Sequence, residues 1–124
     1  LWNGKAPLEI QELGMAFKGE KVKRKDGPRL DFDDRSRAFL DFGKLEFPLL
    51  VRNRRKGDRY QPLGAPGHKK LTEILRAKGI PLGQREEKPV FISGGEIVWV
   101  LGLPVCEKFK IEEKTDDIFM IERI

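Results

Sequence analysis

The chain holds one cysteine, one histidine, one tyrosine and two methionines in 124 residues. The lone Cys106 has no second thiol for an intramolecular disulfide, so a reducing cytoplasm is the expected compartment. One His and one Cys fall short of the four ligands of a structural zinc site. No apolar run approaches the ~20 residues that a membrane-spanning helix needs. No signal-peptide pattern opens the chain. It begins "LWNGKAPLEI", without an initiator Met, and is expected to be a piece of a longer protein. No pair of carboxylates stands out as an acid/base couple, and nothing in the sequence places a Ser or Cys beside His68 to form a nucleophilic site.

Hydrophobic residues make up 39% and charged residues 36% of the chain, enough apolar content for one domain with a modest core. The net charge of +5 is unevenly placed. Residues 1–50 carry 10 Lys/Arg against 9 Asp/Glu, and residues 89–124 carry 4 against 7. Residues 51–88 carry 11 against 4, a local excess of +7. A surface tuned only for solubility mixes the signs, whereas a regional block suggests an anionic partner. The plainer alternative is a solvated basic face with no specific partner.

The pattern of residues predicts an α+β fold with a mixed or antiparallel sheet and one main helix. Residues 15–33 read as two strands around a turn at Lys25-Asp26-Gly27-Pro28, with Val22, Leu30 and Phe32 in the alternation. "RAFLDF" and "FPLLVRNR" read as strands joined through Gly43 and Lys44. "KKLTEILRAK", residues 69–78, reads as the helix, with Leu71, Ile74 and Leu75 on one face and Gly79 beyond its end. "PVFIS" and "EIVWVLG" read as strands joined by Gly94-Gly95, and a last strand runs through Ile118 and Met120. Trp99 and Cys106 read as core side chains.

The stretch "VRNRRKGDRYQPLGAPGHKKL" concentrates the basic block. A strand there puts Arg52 and Arg54 on one face. Arg55 and Arg59 add guanidiniums able to fork onto a phosphate. Asp58 caps a turn or holds Arg59. Lys69 and Lys70, at the expected helix start, oppose the helix dipole, which suits a site that holds an anion. Arg76 shares the face of Lys69, while a pairing of Lys69 with Glu73 is the structural alternative. "GAPGHKK" is not a P-loop, which needs four residues between its glycines and Ser/Thr after the Lys. "SGGEIVW" begins like the Ser-Gly-Gly-x-Asp-Ser loop of ATP pyrophosphatases, but Ile97 and Val98 stand where Asp and Ser belong.

"LVRNRRKGDRYQPLG", then "KKLTEILRAKGIPLGQREEKPVFISGGEIVWVLG", then "EKFKIEEKT" resemble the C-terminal domain of the bacterial tRNA(Ile)-lysidine synthetase family. The resemblance covers residues 37–124. Residues 1–36 are expected to be a β arm or the end of a preceding region. The resemblance implies a fold like a domain of the phenylalanyl-tRNA synthetase beta chain. It implies tRNA as partner, probed at the acceptor stem, and a catalytic N-terminal domain elsewhere in the same chain. That N-terminal domain would use ATP and lysine to convert the wobble cytidine of a minor tRNA(Ile) to lysidine. No cofactor is expected in this fragment, and no catalytic residue. Carried over residue by residue, the tRNA-binding set is Arg52, Arg54, Arg55, Arg59, Lys69, Lys70, Arg76 and Arg85. The alternative is a structural or oligomerisation domain, such as a homodimer, with an incidental basic face.

Overall fold

Two adjacent glycines make the simplest element of the fold. Gly94 and Gly95 have φ of 55° and 83°, the left-handed pair that a two-residue hairpin turn demands. They join β7 (Pro89–Ser93) to β8 (Glu96–Val100), and every residue of β7 is buried. β4 (Leu50–Asn53) lies antiparallel on the other side of β7, so the three strands run in the order β4-β7-β8. The computed structural model describes residues 1–25, 34–81, 83–84 and 87–124.

A second sheet has the order β1-β2-β9-β3, built from β1 (Leu8–Ile10), β2 (Met15–Lys23), β9 (Asp117–Arg123) and β3 (Arg37–Asp41). All its pairings are antiparallel. β2 is the first strand expected within residues 15–33, and β9 is the expected last strand. The partners of β2 are β1 and β9, strands distant in sequence on one side. The rest of the expected hairpin, Asp26 to Asp33, lies outside the described residues.

A third, two-stranded ribbon pairs β5 (Arg59–Tyr60) with β6 (Lys69–Lys70). Helix α1 (Leu71–Ala77) follows directly and buries Leu71, Ile74 and Leu75, the face its periodicity predicts. Gly79, with φ of 72°, ends it as a left-handed residue just past the last turn. Every described pairing in the three sheets is antiparallel. Among the described residues, no helix is long and apolar enough to cross a membrane.

Aromatic rings fill the space between the sheets. Phe91 stacks on Trp99 at 5.2 Å, and Phe17 meets Phe91 edge-on at 5.2 Å. Trp99 is fully buried as expected, and its indole N–H donates to the Leu103 carbonyl at 2.9 Å. Cys106 is buried too. Residues 1–36 contribute Trp2 and Phe17 to the same cluster as Tyr60, Leu71 and Leu75. Tyr60 is the anchor that matters for the basic segment: it is buried, and its hydroxyl donates to the Pro104 carbonyl.

Candidate functional site

The basic stretch leaves β4, turns and returns as β5. Arg52, in β4 opposite Val90, turns its guanidinium onto Asp58 in a two-pronged contact: Nη2 donates to Oδ1 at 2.8 Å and Nη1 to Oδ2 at 3.0 Å. Their side chains are 17% and 10% exposed, so this pair is largely shielded from water. Asp58 Oδ2 also accepts the Arg55 backbone N–H at 2.7 Å, and the Asp58 N–H donates to the Arg55 carbonyl at 3.2 Å. Burial alone would push the Asp58 carboxyl up; the Arg52 fork and the Arg55 N–H outweigh it and hold it below its usual range. Asp58 therefore caps the turn, and the cation it holds is Arg52 rather than Arg59.

The next residues extend the sheet. Asn53 Oδ1 accepts the N–H groups of Arg54 and Lys88 at 3.0 and 2.8 Å, and the Arg54 N–H donates to the Lys88 carbonyl at 2.9 Å. Arg54 is half-buried, while Arg55 and Lys56 stand exposed at the turn. Gly57, at φ 93°, completes the reversal.

Lys69 and Lys70 lie in strand β6, where the helical reading of residues 69–78 put them in the first turn. The reason is pairing: Arg59 faces Lys70 and Tyr60 faces Lys69 across the ribbon, and the Leu71 N–H donates to the Asp58 carbonyl at 2.8 Å. The helical spacing to Glu73 and Arg76 thus does not apply to Lys69. Lys70 is the residue before α1, with φ −61° and ψ 131°, and its side chain caps nothing. Arg76 is exposed in the last turn of α1, where a cation suits the helix dipole. Arg85 lies outside the described residues.

Two exposed cations directly opposite each other on a ribbon repel. Arg59 spends one donor on the His68 carbonyl at 3.3 Å, leaving most of its fork toward solvent. The structure therefore places Arg55 on the exposed turn and Arg59, Lys69 and Lys70 on the ribbon, with Arg59 directly opposite Lys70, ties Arg52 to Asp58, and sets Arg76 on the helix. Behind the ribbon is a cleft of about 320 Å³ whose lining includes Arg52, Asp58, Arg59, Gln61, His68 and Glu96. Its carboxylates are answered from within the chain, Asp58 by Arg52 and Glu96 by Lys108 at 2.6 Å. A second hollow of about 430 Å³, floored by Phe42, Phe47 and Phe119, is apolar and is lined by none of the predicted residues. The sequence concealed the Arg52–Asp58 fork because five cations stand within residues 51–59, and spacing does not choose among them.

A tRNA(Ile)-lysidine synthase from Caldanaerobacter subterraneus subsp. tengcongensis is 40% identical over 115 residues, which is 93% of this chain and 21% of that protein. The enzyme of the same name from Symbiobacterium thermophilum is 36% identical over 117 residues, covering 93% of this chain and 24% of that protein. The chain thus spans about a fifth to a quarter of the length of these curated relatives. A solved TILS C-terminal domain superposes with a TM-score of 0.79 at 28% identity, over 96% of this chain and 89% of that one. An N-terminal fragment of the phenylalanyl-tRNA synthetase beta-subunit from Pyrococcus horikoshii gives a TM-score of 0.67 at 20% identity, over 86% and 38%, and shares the fold. The family model described as the TilS substrate C-terminal domain matches residues 49–121, which run from the start of β4 through most of β9, and the chain belongs to that family.

Proposed function

We propose that this chain is the tRNA-docking domain of a tRNA(Ile)-lysidine synthase. In this reading the exposed cations of the turn and ribbon grip phosphates of the acceptor stem of a minor tRNA(Ile). A separate N-terminal catalytic domain then acts on the wobble cytidine with ATP and lysine. The observation that carries the reading is the Arg59–Lys70 pair. Like charges held face to face on a rigid ribbon are unfavourable alone and become favourable when a phosphate sits between them. A-form RNA is met mainly through phosphates, 2′-hydroxyls and shape, which a rigid basic ribbon suits. The relatives are named for a tRNA-modifying activity, which supports the same partner class. The place of action is the cytoplasm, where the tRNA is.

The test is binding of the 124-residue chain to a minor tRNA(Ile) transcript across a salt series. The reading expects affinity that falls linearly in log–log coordinates, with ~0.7–0.9 of slope per phosphate contact. A symmetric dimer with no affinity for tRNA at low salt overturns it. The same preparation, given ATP, lysine and tRNA, is expected to release no AMP above blank.

A further inference from the structure

The Arg52–Asp58 fork has a geometry that the tRNA-docking reading alone does not explain, and the inference rests on that reading. Asp58 is an acid inside the most basic segment of a chain proposed to bind a polyanion. Simple electrostatics would have it weaken binding. Its contacts say otherwise. Through its side chain it joins β4, by way of Arg52, to the turn, by way of the Arg55 N–H. Through its carbonyl it receives the N–H of Leu71, the first residue of α1. The next residue, Arg59, is the one that faces Lys70. One residue thus ties strand, turn, ribbon and helix start together, and it consumes the charge of Arg52 in doing so.

We infer that Asp58 is a positioning residue for RNA binding, and that Arg52 is its clamp rather than a phosphate ligand. Two cations in series, Arg55 and Lys56, repel one another and would splay an untethered turn. The bidentate fork fixes the direction of the turn, and with it the directions of Arg55 and Arg59. The fork demands a planar guanidinium, so a lysine of equal charge cannot replace it.

The experiment compares wild type, Asp58→Asn, Arg52→Lys and the double variant for binding to the tRNA(Ile) transcript across a salt series, at a temperature well below each melting point. Loss of one positioned phosphate contact lowers affinity about five- to eightfold at 0.1 M salt and makes the salt dependence shallower. Asp58→Asn is expected to show at least that loss although it makes the chain more positive. Arg52→Lys is expected to show a similar loss at unchanged charge. The double variant is expected to be no weaker than the weaker single, because the two residues act as one unit. If Asp58→Asn gives no folded chain at any usable temperature, Arg52→Lys decides alone. Binding by Asp58→Asn as tight as or tighter than wild type, or wild-type binding by Arg52→Lys, overturns the inference while leaving tRNA docking intact. No binding by the wild-type chain overturns the docking reading and the inference with it.

Discussion

Replacing Lys70 by Glu is expected to stabilise the fold and weaken RNA binding at once. Lys70 faces Arg59 across the β5–β6 ribbon and immediately precedes α1. Reversing its charge turns a repulsive cross-strand pair into an attractive one, a change of roughly 0.2–1 kcal/mol. It also places an acid at the positive end of a helix, worth about 0.3–1 kcal/mol at low salt. Together these give about 1 kcal/mol, which for a domain of this size is a rise in melting temperature of roughly 3–5 °C. On the binding side, one phosphate contact is lost, so affinity should fall at least about five- to eightfold at 0.1 M salt, and the salt slope should shrink by ~0.7–0.9 or more. Thermal melts and a salt series on one preparation read both effects. Lys114→Glu, in the turn before β9, is the control and should leave the slope alone. A lower melting temperature for Lys70→Glu would mean that Arg59 and Lys70 do not repel in the folded chain. A wild-type salt slope would mean that Lys70 touches no phosphate.

Other expectations follow from the same geometry. Gly95→Val puts a β-branched residue at φ 83° and should destabilise by about 1–3 kcal/mol in chemical denaturation, while the salt slope of the folded fraction stays unchanged. On the acid side, Asp58 is held below its ordinary value of 3.8 despite its burial, and Asp117 is lowered first by its bond to Lys23. Carboxyls lowered on folding stabilise above their unfolded pKa and lose that contribution as pH falls through the folded value. The melting temperature should therefore decline below about pH 4, and less steeply in Asp58→Asn; an equal decline in both would remove Asp58 from that account. Burial raises the Cys106 thiol above its usual value, so alkylation at pH 8 should be slow in the folded chain and fast in denaturant.

Elements set by local chemistry were legible in the sequence. The β7–β8 hairpin was announced by two glycines between apolar runs, and the helix face by Leu71, Ile74 and Leu75. The sheet read as mixed or antiparallel, and its described pairings are all antiparallel. What depended on distant partners was not legible. Lys69 and Lys70 belong to a helical pattern by spacing, yet they pair with Tyr60 and Arg59, nine and eleven residues away, and the Leu71 N–H is taken by the Asp58 carbonyl. β2 was visible as a strand, but its neighbour β9 lies at the far end of the chain. The basic block itself was legible from composition. The division of labour inside it was not, since Arg52 and Arg55 differ only in which way the chain turns between them.

That division bears on how a basic surface can be both charged and rigid. A ribbon of two residues per strand has little pairing of its own to oppose the repulsion between Arg59 and Lys70. Its stability is borrowed from beneath. Tyr60 is buried and bonded to the Pro104 carbonyl, the Gln61 carbonyl receives the Glu107 N–H at 3.0 Å, and Leu71 is buried at the head of α1. Two of these anchors sit next to a cation in sequence: Tyr60 beside Arg59, Leu71 beside Lys70. Core burial of one residue thus fixes the exposed charge of its neighbour. A partner that brings phosphates relieves repulsion already present in the free chain and need not order the ribbon first, so less of the binding free energy goes into conformational entropy. Weakening an anchor should therefore cost affinity before it costs the fold. Tyr60→Phe, which removes only the hydroxyl and leaves the Pro104 carbonyl without that donor, tests this without altering any charge: its tRNA affinity across a salt series should fall while its melting temperature stays near wild type, and wild-type affinity with a lowered melting temperature would refute the argument.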